Sequence, residues 1–336
     1  MKNLIVSMML IIGMGVNAQP DINGGPINSR TETGVIDGVY LSTHIPTKRL
    51  IPYEHVREAD VIWSKRVWRT IDLREKINRP IYYPLDEFTN PDPETGEVDW
   101  VRHENRWSLW TIIRQHIIAG DLTLYSDYNP VVTSIRDGDQ FKYPILPEPG
   151  KDYYTDEVYR KDLLFYLAKL GPQPEDPYLN QYQEDSTDAQ GKLVYPPRDT
   201  MWYTSEDIIQ YKIKEDWFFD KERSVLDVRI LGIAPVRYDI DNNGNNQGAW
   251  TMFWLYFPTD CRYVFNNYFV YNEKNGSQWM SFDDFFMKRR FNSFIHKEEN
   301  VYDRSIEKYR VGVDALMESQ KITEEIRILE HDVWSY

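Results

Sequence analysis

Two adjacent carboxylates, Asp283 and Asp284, are the residues in this chain whose type and spacing could most readily do chemistry. A pair of acids can hydrolyse a glycosidic bond, one as general acid and one as base or nucleophile, if the fold sets the distance between them. The surrounding Ser281-Phe282-Asp283-Asp284-Phe285 reads better as a helix start, with Ser281 capping and both acids at the positive end of the dipole. Glu324-Glu325 falls on the polar side of a long helix, where carboxylates are solvated. The run Asp239-Ile240-Asp241-Asn242-Asn243-Gly244-Asn245 matches the first six positions of a calcium loop, but position 12 is Trp250 where a bidentate Glu is needed. Its flanks read as strands, so it is assigned as an Asn- and Gly-rich hairpin turn. The histidines His44, His55, His103, His116, His296 and His331 include no pair at i, i+4 and no zinc-binding motif. His116 lies on an apolar helix face and is expected to be a hydrogen-bonded core residue. Cys261, the single cysteine, stands in an aromatic segment as a small buried hydrophobe, and it permits neither an intrachain disulfide nor a thiolate cluster. A Gly-x-Ser-x-Gly elbow, a phosphate-cradling glycine loop and a dinucleotide fingerprint are all lacking. No catalytic, cofactor-binding or metal residue is therefore assigned.

The elements that would position these residues belong to the α+β class, with amphipathic helices, short strands and a C-terminal β-hairpin flanked by helices. Val56, Ala59, Trp63, Val67 and Ile71 recur every three or four residues and predict a helix from Tyr53, with Pro80 and Pro84 holding Ile81-Tyr82-Tyr83 extended after it. A second helix spans Asn105 to Ala119, with Leu109, Ile112, Ile113, His116 and Ile117 inward and Gly120 at its end. Leu122 to Tyr125 follows as a strand. At an offset of 42, Trp68, Ile71 and Tyr83 fall on Trp110, Ile113 and Tyr125, a hint of duplication. A third helix is capped by Thr155, buries Tyr159, Leu163, Tyr166, Leu167 and Leu170, and stops at Gly171-Pro172. A short helix over Ser205–Lys214 precedes strands at Val225–Ile240 and Ala249–Phe257. Helices return at Phe282–Phe291 and from Val301 onward. In the last, Ala315, Ser319, Ile322, Ile326, Leu329 and Val333 form a heptad-like seam, expected to pack on the protein's own core.

Segmentation follows composition. Lys2, the apolar run Leu4–Val16 and Val16-Asn17-Ala18 read as a signal peptide over residues 1–18, too short to span a bilayer. An extended arm (19–50), an α+β subdomain (51–170), a Pro-rich linker or long loop (171–200) and a second α+β subdomain (201–336) complete the division. Loss of Lys2 with the leader takes the formal charge from −14 to −15. That field repels phosphate backbones, which argues against nucleic acid and anionic membranes as partners. Eleven Trp and 24 Tyr supply rings that suit cores and interfaces equally.

Four stretches carry a family likeness. Ile62-Trp63-Ser64-Lys65-Arg66-Val67-Trp68-Arg69-Thr70-Ile71-Asp72-Leu73-Arg74-Glu75-Lys76-Ile77-Asn78, continued by Arg79-Pro80-Ile81-Tyr82-Tyr83-Pro84-Leu85, resembles the gliding-motility GldN/PorN family. So do Ser281–Phe291 with Lys297–Arg304, and the terminal Glu330-His331-Asp332-Val333-Trp334. The resemblance implies a periplasmic subunit of the type IX (Por) secretion system of Bacteroidetes. It implies a ring of copies held under the outer membrane by a GldK/PorK-type lipoprotein, with contact to the periplasmic part of a GldM/PorM-type motor protein and no direct membrane insertion. It carries over no catalytic residue. The competing reading is an exported carbohydrate-active enzyme or glycan-binding protein.

Overall fold

Spacing of four residues is the same face of a helix and of a strand, and this decides the first element. Trp63, Val67 and Ile71 lie on a strand, β1 (Val61–Asp72), and not on the expected helix. Val61, Ile62, Val67, Thr70 and Ile71 are β-branched, a stiffness that suits a pleated surface better than a helical turn. Val67 and Ile71 are buried on one side of it, and Trp68 on the other. The expected duplication fails with the helix, because Trp68 is on a strand while Trp110 is on a helix. Pro80 is accommodated in the first turn of a short helix, Arg79–Tyr82, where the strand-like reading of Ile81-Tyr82 had been expected.

The computed structural model describes residues 50–88, 100–102, 107–130, 132, 135–171, 195–196, 200–240, 246–272, 274–275 and 280–334. After β1 the main-sheet strands are β2 (Leu124–Ser126), β3 (Pro144–Ile145), β4 (Ile208–Asp220), β5 (Val225–Ile240), β6 (Asn246–Thr251), β7 (Phe253–Tyr256) and β8 (Phe294–Glu298). All pairs are antiparallel, in the order β8-β1-β4-β5-β7-β2-β3, with β6 pairing β5. The α+β assignment holds. The hairpin β5–β6 also holds, although its second strand is split at Met252 into β6 and β7. The expected helix at Ser205–Lys214 is a single 3-10 turn, Ser205–Asp207, in which Thr204 and Asp207 cap each other, followed directly by β4.

Helix α1 (Leu109–Ala119) begins at Ser108, whose side chain accepts from the Thr111 N–H, and ends at Gly120 with φ 86°. Helix α2 (Glu157–Leu167) is capped by Asp156, not Thr155, whose hydroxyl is occupied by Asp152. It ends earlier than expected, and Ala168–Leu170 pairs with Thr200–Trp202. The Pro-rich segment therefore leaves and returns at one antiparallel pair. Strands from both sides of it share the main sheet, so 171–200 does not divide two sheets. Helix α3 (Phe282–Met287) is shorter than expected, and α4 (Val313–Trp334) starts at Val313, not Val301.

One face of the sheet carries a large core in which Ile71, Ile213, Ile233 and Leu255 meet α1, α2 and the phenylalanine cluster Phe257, Phe265, Phe282, Phe285, Phe286 and Phe291. A neighbouring cluster joins Val67 and Ile295 to Ile306, Ile322 and Ile326, so the α4 seam packs on the protein's own sheet. The opposite face holds Trp68, Ala234 and Trp254 beneath Tyr125 and Phe141. The loop closing this face needs Gly138, where a Cβ would fall on the Ser126 carbonyl oxygen and 2.5 Å from Asp127 Cα. Backbone cannot yield as a side chain does. Gly138→Ala is expected to destabilise by about 3 kcal/mol, read as a shift in urea midpoint at constant m-value.

Residues 1–49, and with them the leader, His44 and all of the arm except Leu50, lie outside the described residues. So do His103, most of 171–200 and positions 241–245 of the calcium-like loop. Among the described residues no helix is long and apolar enough to cross a membrane.

Candidate functional site

The acids singled out for chemistry are held apart by different cations. Asp283 is buried against Arg262, with Arg262 Nε 2.9 Å from Oδ1 and Nη2 3.4 Å from Oδ2. Asp284 takes the helix-start role, its N–H donating to Ser281 Oγ at 3.0 Å, while its carboxylate lies 3.4 Å from Lys288 Nζ. Glu324 accepts from Arg327 Nε at 2.9 Å on the exposed side of α4. The Cys261 thiol is buried, and desolvation pushes it well above its ordinary value, so it is a poor nucleophile. His116 is hydrogen-bonded as expected, Nε2 lying 2.7 Å from the Tyr268 hydroxyl and Nδ1 2.6 Å from Asp121 Oδ2. His55 and His331 are exposed. Among the described residues no three His, Cys, Asp or Glu side chains cluster to hold a metal.

Other buried charges serve the fold. Glu215, fully buried, receives Arg289 Nη1 at 2.8 Å and Nη2 at 3.2 Å, and the Arg289 guanidinium lies 5.2 Å from the Trp217 ring. The part-buried His296 imidazole is 2.9 Å from Thr70 Oγ1 and is held well below its ordinary 6.5, first by desolvation and then by Lys212 and Lys297. Its folded-state pKa is depressed, so below about pH 6.5 the unfolded chain binds a proton that the folded chain does not. Stability contributed by neutral His296 is present above that pH and lost as pH falls towards the folded value, by up to about 1.4 kcal/mol per pH unit. Urea unfolding at about pH 7.5 and about pH 5 should show a smaller difference in His296→Asn than in the unaltered chain. An unchanged difference would contradict this.

Two surface features are unlike the rest. At the entry to α4, Val311, Val313, Leu316 and Met317 are 83%, 71%, 57% and 64% exposed. Val313 and Met317 share the side of α4 away from the buried Ile322 and Ile326, and Leu316 lies at its flank. Beside them a cavity of about 380 Å³ is lined by Phe294, Ile306, Val311, Ala315 and Leu316. Apolar side chains left in water beside an apolar cavity mark a surface that another protein can cover. Sequence reasoning missed this patch, because it followed the seam from Ala315 and none of these four residues belongs to that seam. The one available signal was Gly312, whose φ of 62° separates the 3-10 turn Ile306–Lys308 from α4. The second feature is a groove of about 730 Å³ between the β2–β3 edge and α2, lined by Tyr128, Tyr143, Phe165, Tyr166 and Trp250.

No curated protein matches the chain. The family model described as "Gliding motility associated protein GldN" matches residues 56–335, from just before β1 to beyond the end of α4. The chain belongs to the GldN family of gliding-motility-associated proteins.

Proposed function

We propose that this protein is a structural periplasmic subunit of the type IX secretion and gliding machinery. In this reading copies form a ring with a GldK/PorK-type outer-membrane lipoprotein and reach the periplasmic part of a GldM/PorM-type inner-membrane motor. Membership of GldN, a structural gliding-motility family and not a known enzyme family, makes the chain a protein associated with gliding motility and type IX secretion. The observation that carries the finer reading is the apolar patch Val311, Val313, Leu316 and Met317, which is costly to leave in water and has the character of an interface centre. A double substitution, Leu316→Asp with Met317→Asp, should leave thermal stability unchanged, because both side chains are exposed. It should weaken recovery with the lipoprotein by about 30-fold or more, the scale of losing a 2 kcal/mol anchor. Normal recovery would contradict the reading.

The aromatic groove at Tyr128, Tyr143, Phe165, Tyr166 and Trp250 favours one second reading, a glycan-binding module, since sugar rings pack their apolar faces on such side chains. That reading expects saccharide to change tryptophan fluorescence, with the response lost in Trp250→Ala.

A further inference from the structure

Strands β1, β4 and β5 continue past the rest of the sheet as a three-stranded ribbon. β4 pairs with β1 out to Val61↔Asp220, and with β5 out to Asp220↔Val225. β8 follows β1 only to Val67↔Glu298, and the Glu299 N–H closes that side by donating to the Arg66 carbonyl at 2.9 Å. Among the described residues no strand lies beside the outer edge of β1 from Val61 to Lys65. Because Arg66 turns its carbonyl to that side, alternation along an antiparallel strand turns the N–H and C=O of Ser64 the same way. Ser64 is exposed, and Ile62 is 64% exposed. Unpaired backbone of this kind is a template for an added strand.

The opposite edge of the ribbon is occupied differently. Tyr53 and Glu54 lie beside β5: the Arg229 guanidinium is 5.3 Å from the Tyr53 ring, and its Nη2 donates to the Glu54 carbonyl at 2.5 Å. Arg262 Nη2 donates to the Ile51 carbonyl at 2.8 Å, and its guanidinium lies 4.5 Å from the Tyr53 ring. The described chain therefore begins on the β5 side, two strand spacings or roughly 10 Å from the open edge of β1. The sequence before Leu50 contains Val39-Tyr40-Leu41-Ser42-Thr43-His44-Ile45, rich in β-branched and aromatic residues and ended by Pro46.

We propose that residues 39–45 of one copy add as a strand to the outer edge of β1, at Ile62–Arg66, in a second copy. The proposal rests on the self-association put forward above and names its donor and acceptor. They lie on opposite sides of the ribbon, so the contact is head-to-tail, and a joined pair still offers one unused donor on one copy and one unused acceptor on the other, the condition for growth into a ring. In the same copy the run would have to cross back over the ribbon within residues 46–50, since residues 51–60 already connect the β5 side to the start of β1.

Cysteine cross-linking tests this cleanly, because the native Cys261 is buried. Cells would carry two tagged copies of the full chain, one with Ser64→Cys and the other with Tyr40→Cys, Leu41→Cys, Ser42→Cys or Thr43→Cys in turn. At least one combination should give a disulfide-linked heterodimer, and the corresponding double variant a ladder of multimers. Ser64→Pro, which removes the outward N–H at an edge position, should keep its melting temperature and weaken self-association by about tenfold. A disulfide formed within one copy, or normal association of Ser64→Pro, would overturn the proposal. If no combination cross-links while the large particle persists, strand addition is overturned and the assembly reading stands. If the unaltered chain forms no large particle, both fail.

Discussion

Asp86→Ala is expected to cost about 3–5 kcal/mol, the range measured when one partner of a buried ion pair is removed. Asp86 sits beneath α1, where Arg114 is 2% exposed and its Nη1 lies 4.0 Å from Asp86 Oδ2. The same carboxylate accepts from the Thr111 hydroxyl and, at 3.2 Å, from the Ser205 N–H, while the Asp86 N–H donates to Ser205 Oγ at 2.9 Å. Burial pushes the Asp86 carboxyl up and pushes the Arg114 guanidinium down to about 10, so each group is costly to hold charged without the other. Alanine at 86 takes the carboxylate away from a guanidinium that also donates to the Tyr203 carbonyl, 3.2 Å from Nη1, and removes the side-chain acceptor of the Ser205 N–H. Urea unfolding would show the loss. The double variant Asp86→Leu with Arg114→Met should be less destabilised than Asp86→Ala, because both charges go together. A single-variant cost below about 1 kcal/mol would show that water reaches the pair.

Ile322→Asp should be at least as damaging, by about 4 kcal/mol or more, since it puts a carboxylate into an apolar cluster. Ile322 is 2% exposed among Val67, Ile295, Ile306 and Ile326, with Trp63 and Trp217 alongside. The adjacent Ser319 Oγ accepts from the Ile295 N–H at 2.8 Å, fastening α4 to β8. Loss of folding, or release of α4 as seen by hydrogen exchange, is the expected result. A folded variant that merely failed to assemble would mean the seam faces a partner. This contrast gives Leu316 and Met317 their meaning, because substitutions there should do the opposite and spare the fold.

Legibility in the sequence followed physical distinctness. Helix α1 could be read because Ser108, the 3.6-residue spacing of its isoleucines and Gly120 agree with one another. β1 could not, because Trp63, Val67 and Ile71 fit both periods and only the intervening β-branched residues vote for a strand. β4 was hidden behind Thr204 and Asp207, which cap one turn and not a helix. At the acids, Ser281 as cap was visible locally, whereas the Arg262 partner of Asp283 is set by the tertiary fold. The apolar patch and the open edge of β1 are properties of what fails to lie beside a residue, and local pattern does not report on neighbours.

Mass decides the central claim. The tagged full chain, drawn from the cell envelope in mild detergent, should emerge in a particle of many copies together with a lipoprotein. Recovery as a single copy, with no lipoprotein beside it, would contradict the account.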